Sequence, residues 1–480
     1  MDSDGYLAAM RARDARFDGV FYVGVTTTGV YCRPICPART PGADRCRFYT
    51  SAALAERDGF RACLRCRPEL APGNAPVDSV PALARAAARR IDAGYLNDHS
   101  VEQLADRLGV TDRHLRRALE TQLGASPLEL AQTRRLALAK QLLHDSRLGL
   151  AEIAFAAGFA SVRRFNDAFR ERFGRPPSAL RKDVPSTAEP GDAIVLRLDT
   201  RPPFDWPRVL AFLAARAIPG VEQVDATTYR RSVVLDGLSG WLEARLVPVR
   251  AAAVQLRVAA SLAPKLMAVL ARVRALFDLD AHPAAIAERL AADKRLAPSV
   301  KAHPGLRVPG AFDGWELALR AILGQQIAVS AATTLAGRLV ARFGDANPGG
   351  LPGLDRVVPS PARVVEAGAT EVATIGLPAQ RARTIVALAE AVQAGTIDLS
   401  IGGDPEPTIA ALCALPGIGP WTASYIAMRA LAWPDAFLGG DLIVRRALDV
   451  TTARAAEERA ERWRPWRAYA VLHLWTGASP

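Results

Sequence analysis

No stretch of this chain reaches about 18 apolar residues without a charge, so a membrane-spanning helix is not expected. The first twenty residues are charged and lack an apolar core, so no signal peptide is expected either. Low-complexity tails and long runs of like charge are missing too. Cysteine is scarce, with six in 480 residues, which argues against a disulfide-stapled secreted fold. A reducing cytoplasm is the expected compartment, with no membrane partner. What is present in excess is positive charge, +12 net, and that favours a polyanionic partner. Half of the residues are hydrophobic, enough to fill several cores, and the length suits two to four domains.

Four of the six cysteines stand close together as Cys32-x3-Cys36 and Cys63-x2-Cys66. Two close pairs separated by a loop is metal-ligand spacing, and soft thiolates make a closed tetrahedral zinc site. Cys46 and Cys413 are isolated, and Cys46 reads as a bystander. Arg33, Arg39, Arg45, Arg47, Arg61, Arg65 and Arg67 crowd the same segment, which suggests that a polyanion approaches the knot.

Residues 80–182 contain an internal repeat. Leu104-Ala105-x3-Gly109-Val110 recurs as Ile153-Ala154-x3-Gly158-Phe159. Leu115, Leu119, Gly124 and Pro127 recur as Phe165, Phe169, Gly174 and Pro177. Each copy reads as a short helix, a Gly turn, an N-capping Thr111 or Ser161, and a second helix, which is helix-turn-helix grammar. The second helices carry Arg113, His114, Arg116 and Arg117 in one copy and Arg163, Arg164, Asn166 and Arg170 in the other. Arg116 and Arg164 are the candidate DNA contacts. A plain helical bundle with solvated charged faces is the bland alternative. Breaker-rich stretches at 71–76 and 183–192 read as linkers on either side.

The remaining residues open with β-rich runs at 193–198, 231–235, 240–246 and 254–258, and an amphipathic helix is expected at 206–217. A small antiparallel α+β unit over 192–264 follows, and helices dominate 265–480. Within the latter, Leu415-Pro-Gly417-Ile-Gly419-Pro-Trp421 predicts two helices joined by a glycine hairpin. Backbone N–H groups of Gly417 and Gly419 there would grip a DNA phosphate, and nearby carbonyls would hold a monovalent cation. Asp441 follows about twenty residues later in Gly439-Gly440-Asp441, at a helix start. The fold class expected is therefore a multidomain α+β chain. It comprises a zinc knot at 1–75, an all-α tandem helix-turn-helix domain at 80–182, the small sheet and a helix-hairpin-helix region.

These motifs carry three resemblances. Thr28-Gly-Val-Tyr-Cys32-Arg-Pro-Ile-Cys36-Pro-Ala-Arg39 with Gly59-Phe-Arg61-Ala-Cys63-Leu-Arg-Cys66-Arg-Pro68 resembles the sensor domain of bacterial adaptive-response regulators. These detect methylphosphotriesters in alkylated DNA. The resemblance implies Zn2+ on Cys32, Cys36, Cys63 and Cys66, with Cys32 also the methyl acceptor, and DNA contacts at Thr28, Arg39 and Arg61. The repeat resembles the tandem reader of the arabinose-regulator family of activators, which implies promoter DNA and RNA polymerase as partners. Residues 192–480 resemble the inducible 3-methyladenine DNA glycosylase II of bacteria. This implies Asp441 as the catalytic carboxylate, and Trp421, Tyr425 and Trp466 as walls of the base pocket. Gln326 would stand where that family wedges an apolar residue into the gap left by the flipped base.

Absences narrow the implied activity. Trp421 occupies the position where strand-cutting relatives carry a Schiff-base lysine, and no cysteine after Cys413 is available for an iron–sulfur cluster. Cys413 lies in Ala-Leu-Cys-Ala-Leu and reads as core, so guanine demethylation is not expected. The implied protein is a cytoplasmic, nucleoid-associated fusion of sensor, reader and hydrolytic alkylbase glycosylase. Two alternatives stay open: a regulator whose last block only holds DNA, and a glycosylase whose first blocks only localise it.

Overall fold

The computed structural model describes residues 3–73, 82–181, 193–247 and 252–477. The stretch read as a linker at 183–192, and residues 74–76 of the first one, lie outside the described residues. The chain forms two compact units that do not follow chain order. One holds residues 1–202 with 247–271 and 279–281, and the other holds 203–246, 272–278 and 282–480.

The first unit begins with a four-stranded sheet in the order β3-β1-β2-β4. Its strands are β1 (Tyr22–Val25), β2 (Val30–Cys32), β3 (Cys46–Tyr49) and β4 (Arg61–Ala62). β1 pairs antiparallel with β2 and β3, and β2 runs parallel to β4. Side chains alternate across the sheet, so Phe21 and Val23 pack on Ala9 and Met10, while Tyr31 packs on Ala55 and Phe60. Gly24 admits no side chain, because a Cβ there would lie 2.9 Å from the Tyr49 ring and 3.0 Å from Phe60.

The repeat folds as its sequence predicts. Helices Val101–Arg107 and Asp112–Leu123 form one copy, and Leu150–Ala156 and Val162–Phe173 the other. Thr111 and Ser161 cap the second helices by accepting from His114 N–H and Arg164 N–H. Gly124 and Gly174 end them with φ of +70° and +68°, where a side chain would be strained. Leu115, Leu119, Phe165 and Phe169 are fully buried, so the spacing shared by the two copies is that of their cores. The long helix Pro127–Asp145 joins the copies. Strands β5 (Ala193–Asp199) and β9 (Ala253–Ala259) pair antiparallel within the same unit.

In the second unit, β6 (Glu222–Val224), β7 (Thr228–Leu235) and β8 (Leu238–Val247) form an antiparallel meander beside helix Trp206–Ala214. From Leu266 onward the described residues contain helices and no strand. Their core includes Leu319, Ile322, Leu339, Ile385, Leu412 and Ile426. Cys413, expected inside, is instead exposed, because Leu412 takes the inward position on its helix. No described helix is long and apolar enough to cross a membrane.

Candidate functional sites

The four cysteines meet at the edge of the first sheet. β2 ends on Cys32, and the parallel pairing of β4 sets Cys63 opposite it, where its N–H donates to Tyr31 O. The Sγ atoms of Cys32, Cys36, Cys63 and Cys66 all lie within 4.8 Å of one another. A tetrahedron of thiolates at Zn–S distances of about 2.3 Å needs such spacing. Hydrogen bonding among the thiols drives their acidities apart, pulling Cys36 down to about 7 and Cys63 further, while Cys32 goes up. Four thiolates crowded together repel, and a bound cation is what lets all four ionise. The residues therefore fit Zn2+. Cys63 and Cys66 are buried, and Cys32 and Cys36 are half-buried at the surface.

The arginines around the knot fall into two groups. Arg39, Arg45, Arg47, Arg61 and Arg65 are exposed, as is Thr28 on the turn between β1 and β2. Arg33 and Arg67 are not available to an outside anion. Arg33 is buried, with Nε on Asp18 (2.8 Å) and Nη1 on Asp199 (2.9 Å), and its backbone N–H donates to Cys66 Sγ (3.3 Å). Arg67 forks onto Asp145 at 2.7 and 2.9 Å and also meets Glu69.

Arg67 and its neighbours tie the knot to the repeat. Lys140, on the long helix, reaches Glu69 (2.8 Å) and Cys63 O (3.2 Å) and is 1% exposed. Glu56 accepts from Tyr31 Oη (2.9 Å) and Thr133 Oγ1 (2.6 Å) and pairs with Arg172 of helix Val162–Phe173. On the second helices, Arg164 is exposed, whereas Arg116 is half-buried and paired with Asp112 at 2.9 Å.

The second site surrounds the glycine hairpin between helices Pro405–Ala414 and Pro420–Ala430. Gly417 has φ +91°, and a Cβ there would meet Thr384 Oγ1 at 2.2 Å, so only glycine fits. Thr384 donates to Pro416 O, and Gln325 Nε2 donates to Gly417 O (2.9 Å), fixing the turn from behind. Gly417 and Gly419 are exposed. Asp441 caps helix Leu442–Ala447, its Oδ1 accepting from Val444 N–H at 3.0 Å. The same carboxylate receives Trp421 Nε1–H on Oδ2 and Trp475 Nε1–H on Oδ1, both at 3.1 Å. Trp421 stacks on Tyr425 with centroids 5.3 Å apart and planes 5° from parallel.

The indole that reaches Asp441 from the last helix is thus Trp475, which the sequence reading did not single out. Trp466 is buried and packs edge-on against Tyr469, with centroids 5.7 Å apart. Gln326 is exposed with φ +58°, and the neighbouring Ile327 and Val329 are exposed apolar side chains.

Comparison with known proteins accounts for the whole layout. Residues 6–69 match the metal binding domain of Ada, and 104–183 a helix-turn-helix domain. Residues 195–313 match the AlkA N-terminal domain, and 319–466 the HhH-GPD superfamily of base excision DNA repair proteins. A probable bifunctional transcriptional activator/DNA repair enzyme AlkA of Mycobacterium tuberculosis is 41% identical over 98% of this chain and 95% of its own length. The chain belongs to this Ada–AlkA fusion family. The DNA-3-methyladenine glycosylase 2 of Escherichia coli is 35% identical over 58% of the chain, covering 95% of that protein. A solved 3-methyladenine DNA-glycosylase from Archaeoglobus fulgidus shares the fold of 58% of the chain and 97% of its own, at TM-score 0.50 and 24% identity. The fusion family therefore carries an Ada-type cysteine knot, a helix-turn-helix reader and a helix-hairpin-helix glycosylase in one polypeptide.

Proposed function

We propose that this protein is a regulator and repair enzyme of the response to DNA alkylation, acting on double-stranded DNA. Its glycosylase part hydrolyses the bond between an alkylated base such as 3-methyladenine and deoxyribose. The observation that carries this reading is the Asp441 carboxylate, held by three N–H donors beside an exposed glycine hairpin and a stacked Trp421–Tyr425 pair. A flipped base stacks on such rings, and a cationic base gains about 0.5–2 kcal/mol from each. As the C1′–N bond breaks, its electron pair leaves with the base and positive charge grows on the sugar. Asp441 stabilises that charge and orients the water that adds to C1′. Its three hydrogen bonds fix the carboxylate before reaction, so little reorganisation is required. Trp475 joins Trp421, Tyr425 and Trp466 as a wall of the base pocket. Gln326, or the apolar Ile327 beside it, fills the gap left in the duplex. Gly417 and Gly419 hold a phosphate through N–H groups, and carbonyls of the hairpin hold a monovalent cation.

Zn2+ on Cys32, Cys36, Cys63 and Cys66 keeps the thiolates ionised at neutral pH. Cys32, at the surface, attacks the methyl carbon of a phosphotriester. The C–O bond breaks and the phosphate leaves as a diester anion. Thr28, Arg39 and Arg61 line the approach of that backbone. The transfer removes one negative charge from the knot. At about 4 Å and an effective dielectric near 20, one unit of repulsion from a phosphate is worth up to about 4 kcal/mol. Methylation thereby strengthens promoter binding through exposed residues such as Arg164, and RNA polymerase is the downstream partner. Arg116 would exchange Asp112 for phosphate on binding.

Asp441→Asn tests the enzymatic half. It retains the N-cap and the shape of the site but loses the charge. Base release is expected to fall by about 100-fold or more while affinity for abasic-analogue DNA changes little. Near-normal excision by Asp441→Asn would place catalysis on another group and favour a chain that only holds DNA.

A further inference from the structure

The loop that carries Gln326 joins helix Gly314–Leu323 to helix Val329–Phe343, and it is bonded to the glycine hairpin more closely than joining two helices demands. Half-buried Gln325 stands immediately before Gln326. Its Nε2 donates to Gly417 O at 2.9 Å and to Thr422 Oγ1 at 3.2 Å. The side-chain amide thus spends its hydrogens on the hairpin and on the helix after it, 92 and 97 positions away. The Gln325 carbonyl in turn accepts from Arg381 Nη2 at 2.8 Å.

Arg381 shares helix Ala379–Gln393 with Thr384, which donates to Pro416 O at 2.8 Å and on which Gly417 is seated. Peptide planarity gives these bonds a direction, because the C=O of one residue and the N–H of the next share a plane and point opposite ways. A donor on Pro416 O from behind therefore aims the Gly417 N–H outward, toward a phosphate. Arg381 does the same one loop away. By holding Gln325 O it fixes the plane from which Gln326 enters the left-handed region at φ +58°.

The phosphate grip lies at the surface of a duplex, whereas a side chain that fills the gap of a flipped base must enter the stack. A loop that had to find its place after binding would lose conformational freedom at that moment, and fixing it beforehand avoids the loss. Building on the glycosylase reading, we propose that Gln325 is a positioning residue for base flipping. It ties the phosphate grip to the gap-filling loop, so that a phosphate seated on Gly417 and Gly419 sets the step at which Gln326 and Ile327 enter. Gln325 touches neither the base nor the sugar and acts through these two neighbours.

The test measures single-turnover release of 7-methylguanine by the full-length protein from two duplexes. In one the lesion faces cytosine. In the other it faces an abasic analogue, so its pairing is already lost and less help is needed to flip it. Gln325→Met keeps the length of the side chain and removes its donors. It should slow release from the paired duplex at least about tenfold more than from the unpaired one, a difference of about 1.4 kcal/mol. A protein carrying both Gln326→Ala and Ile327→Ala gives the second readout. Adding Gln325→Met to it should cost less than about threefold on the paired duplex, because the groups it positions are gone. Equal losses on the two duplexes, no loss on either, or full additivity with the alanine pair would overturn the proposal and leave Gln325 a support of the fold. Wild-type protein that releases no base from either duplex would instead defeat the glycosylase reading itself.

Discussion

At the scale of single residues, the decisive groups were those whose role depends on near neighbours in sequence. The cysteine tetrad is legible from spacing alone, since ligands three and four residues apart converge on one atom. Asp441 is legible because glycines precede it and a helix follows, so its place as N-cap is a local matter. Trp475 was not. The last segment carries several tryptophans, and nothing local says which indole turns toward a carboxylate 34 positions earlier. Arg33 and Arg67 looked like their exposed neighbours, because their acidic partners are 15 and 78 positions away.

The buried His473 beside Ser299 gives a residue-level prediction. Burial, with a smaller push from His303, lowers its pKa from 6.5 to about 4, so the folded protein holds it neutral. Between those values the unfolded chain binds more protons than the folded one. Stability from this group is therefore complete above about pH 6.5 and is lost as pH falls toward 4, at most about 3 kcal/mol. Urea unfolding from pH 4 to 7 should show a steeper rise in stability for wild type than for His473→Gln. Parallel pH curves would exclude the assignment.

Among elements, strands rich in β-branched residues were readable, and β5, β7, β8 and β9 stand where the pattern put them, each one to three residues longer at its ends. The sensor strands β1 to β4 were not read. They are two to four residues long, too short for alternation to register, and long-range pairing defines them. Three helix starts were readable from their caps: Thr111, Ser161 and Asp441 all bond as caps. Cys413 failed for the opposite reason, since an all-apolar run gives no helical phase.

β5 deserves a prediction of its own because its Asp199 completes the shell around Arg33, next to Cys32. Removing one partner of a buried pair leaves charge uncompensated, typically a loss of about 3–5 kcal/mol, reduced here because Asp18 remains. Asp199→Ala should release zinc to a chelator several-fold faster than wild type, followed with a metallochromic dye. Unchanged release would show that the knot does not depend on β5.

At the scale of the molecule, chain order suggested three blocks, and the compact units cut across it. Local patterns do not reveal the buried pair Lys140–Glu69 or the half-buried pair Arg67–Asp145, which join the knot to the reader. These pairs, with Glu56–Arg172, hold the cysteine knot at a defined place relative to helix Val162–Phe173.

The central claim is that one polypeptide both accepts a methyl group and excises an alkylated base. Incubating the full-length protein with methylated duplex DNA, then analysing released bases and intact protein by mass spectrometry, tests both halves in one sample. The account predicts free 3-methyladenine together with one added methyl on Cys32. Base release should survive Cys32→Ala, and methyl transfer should survive Asp441→Asn. A methyl found on the protein in Cys32→Ala, or no released base from wild type, would contradict it.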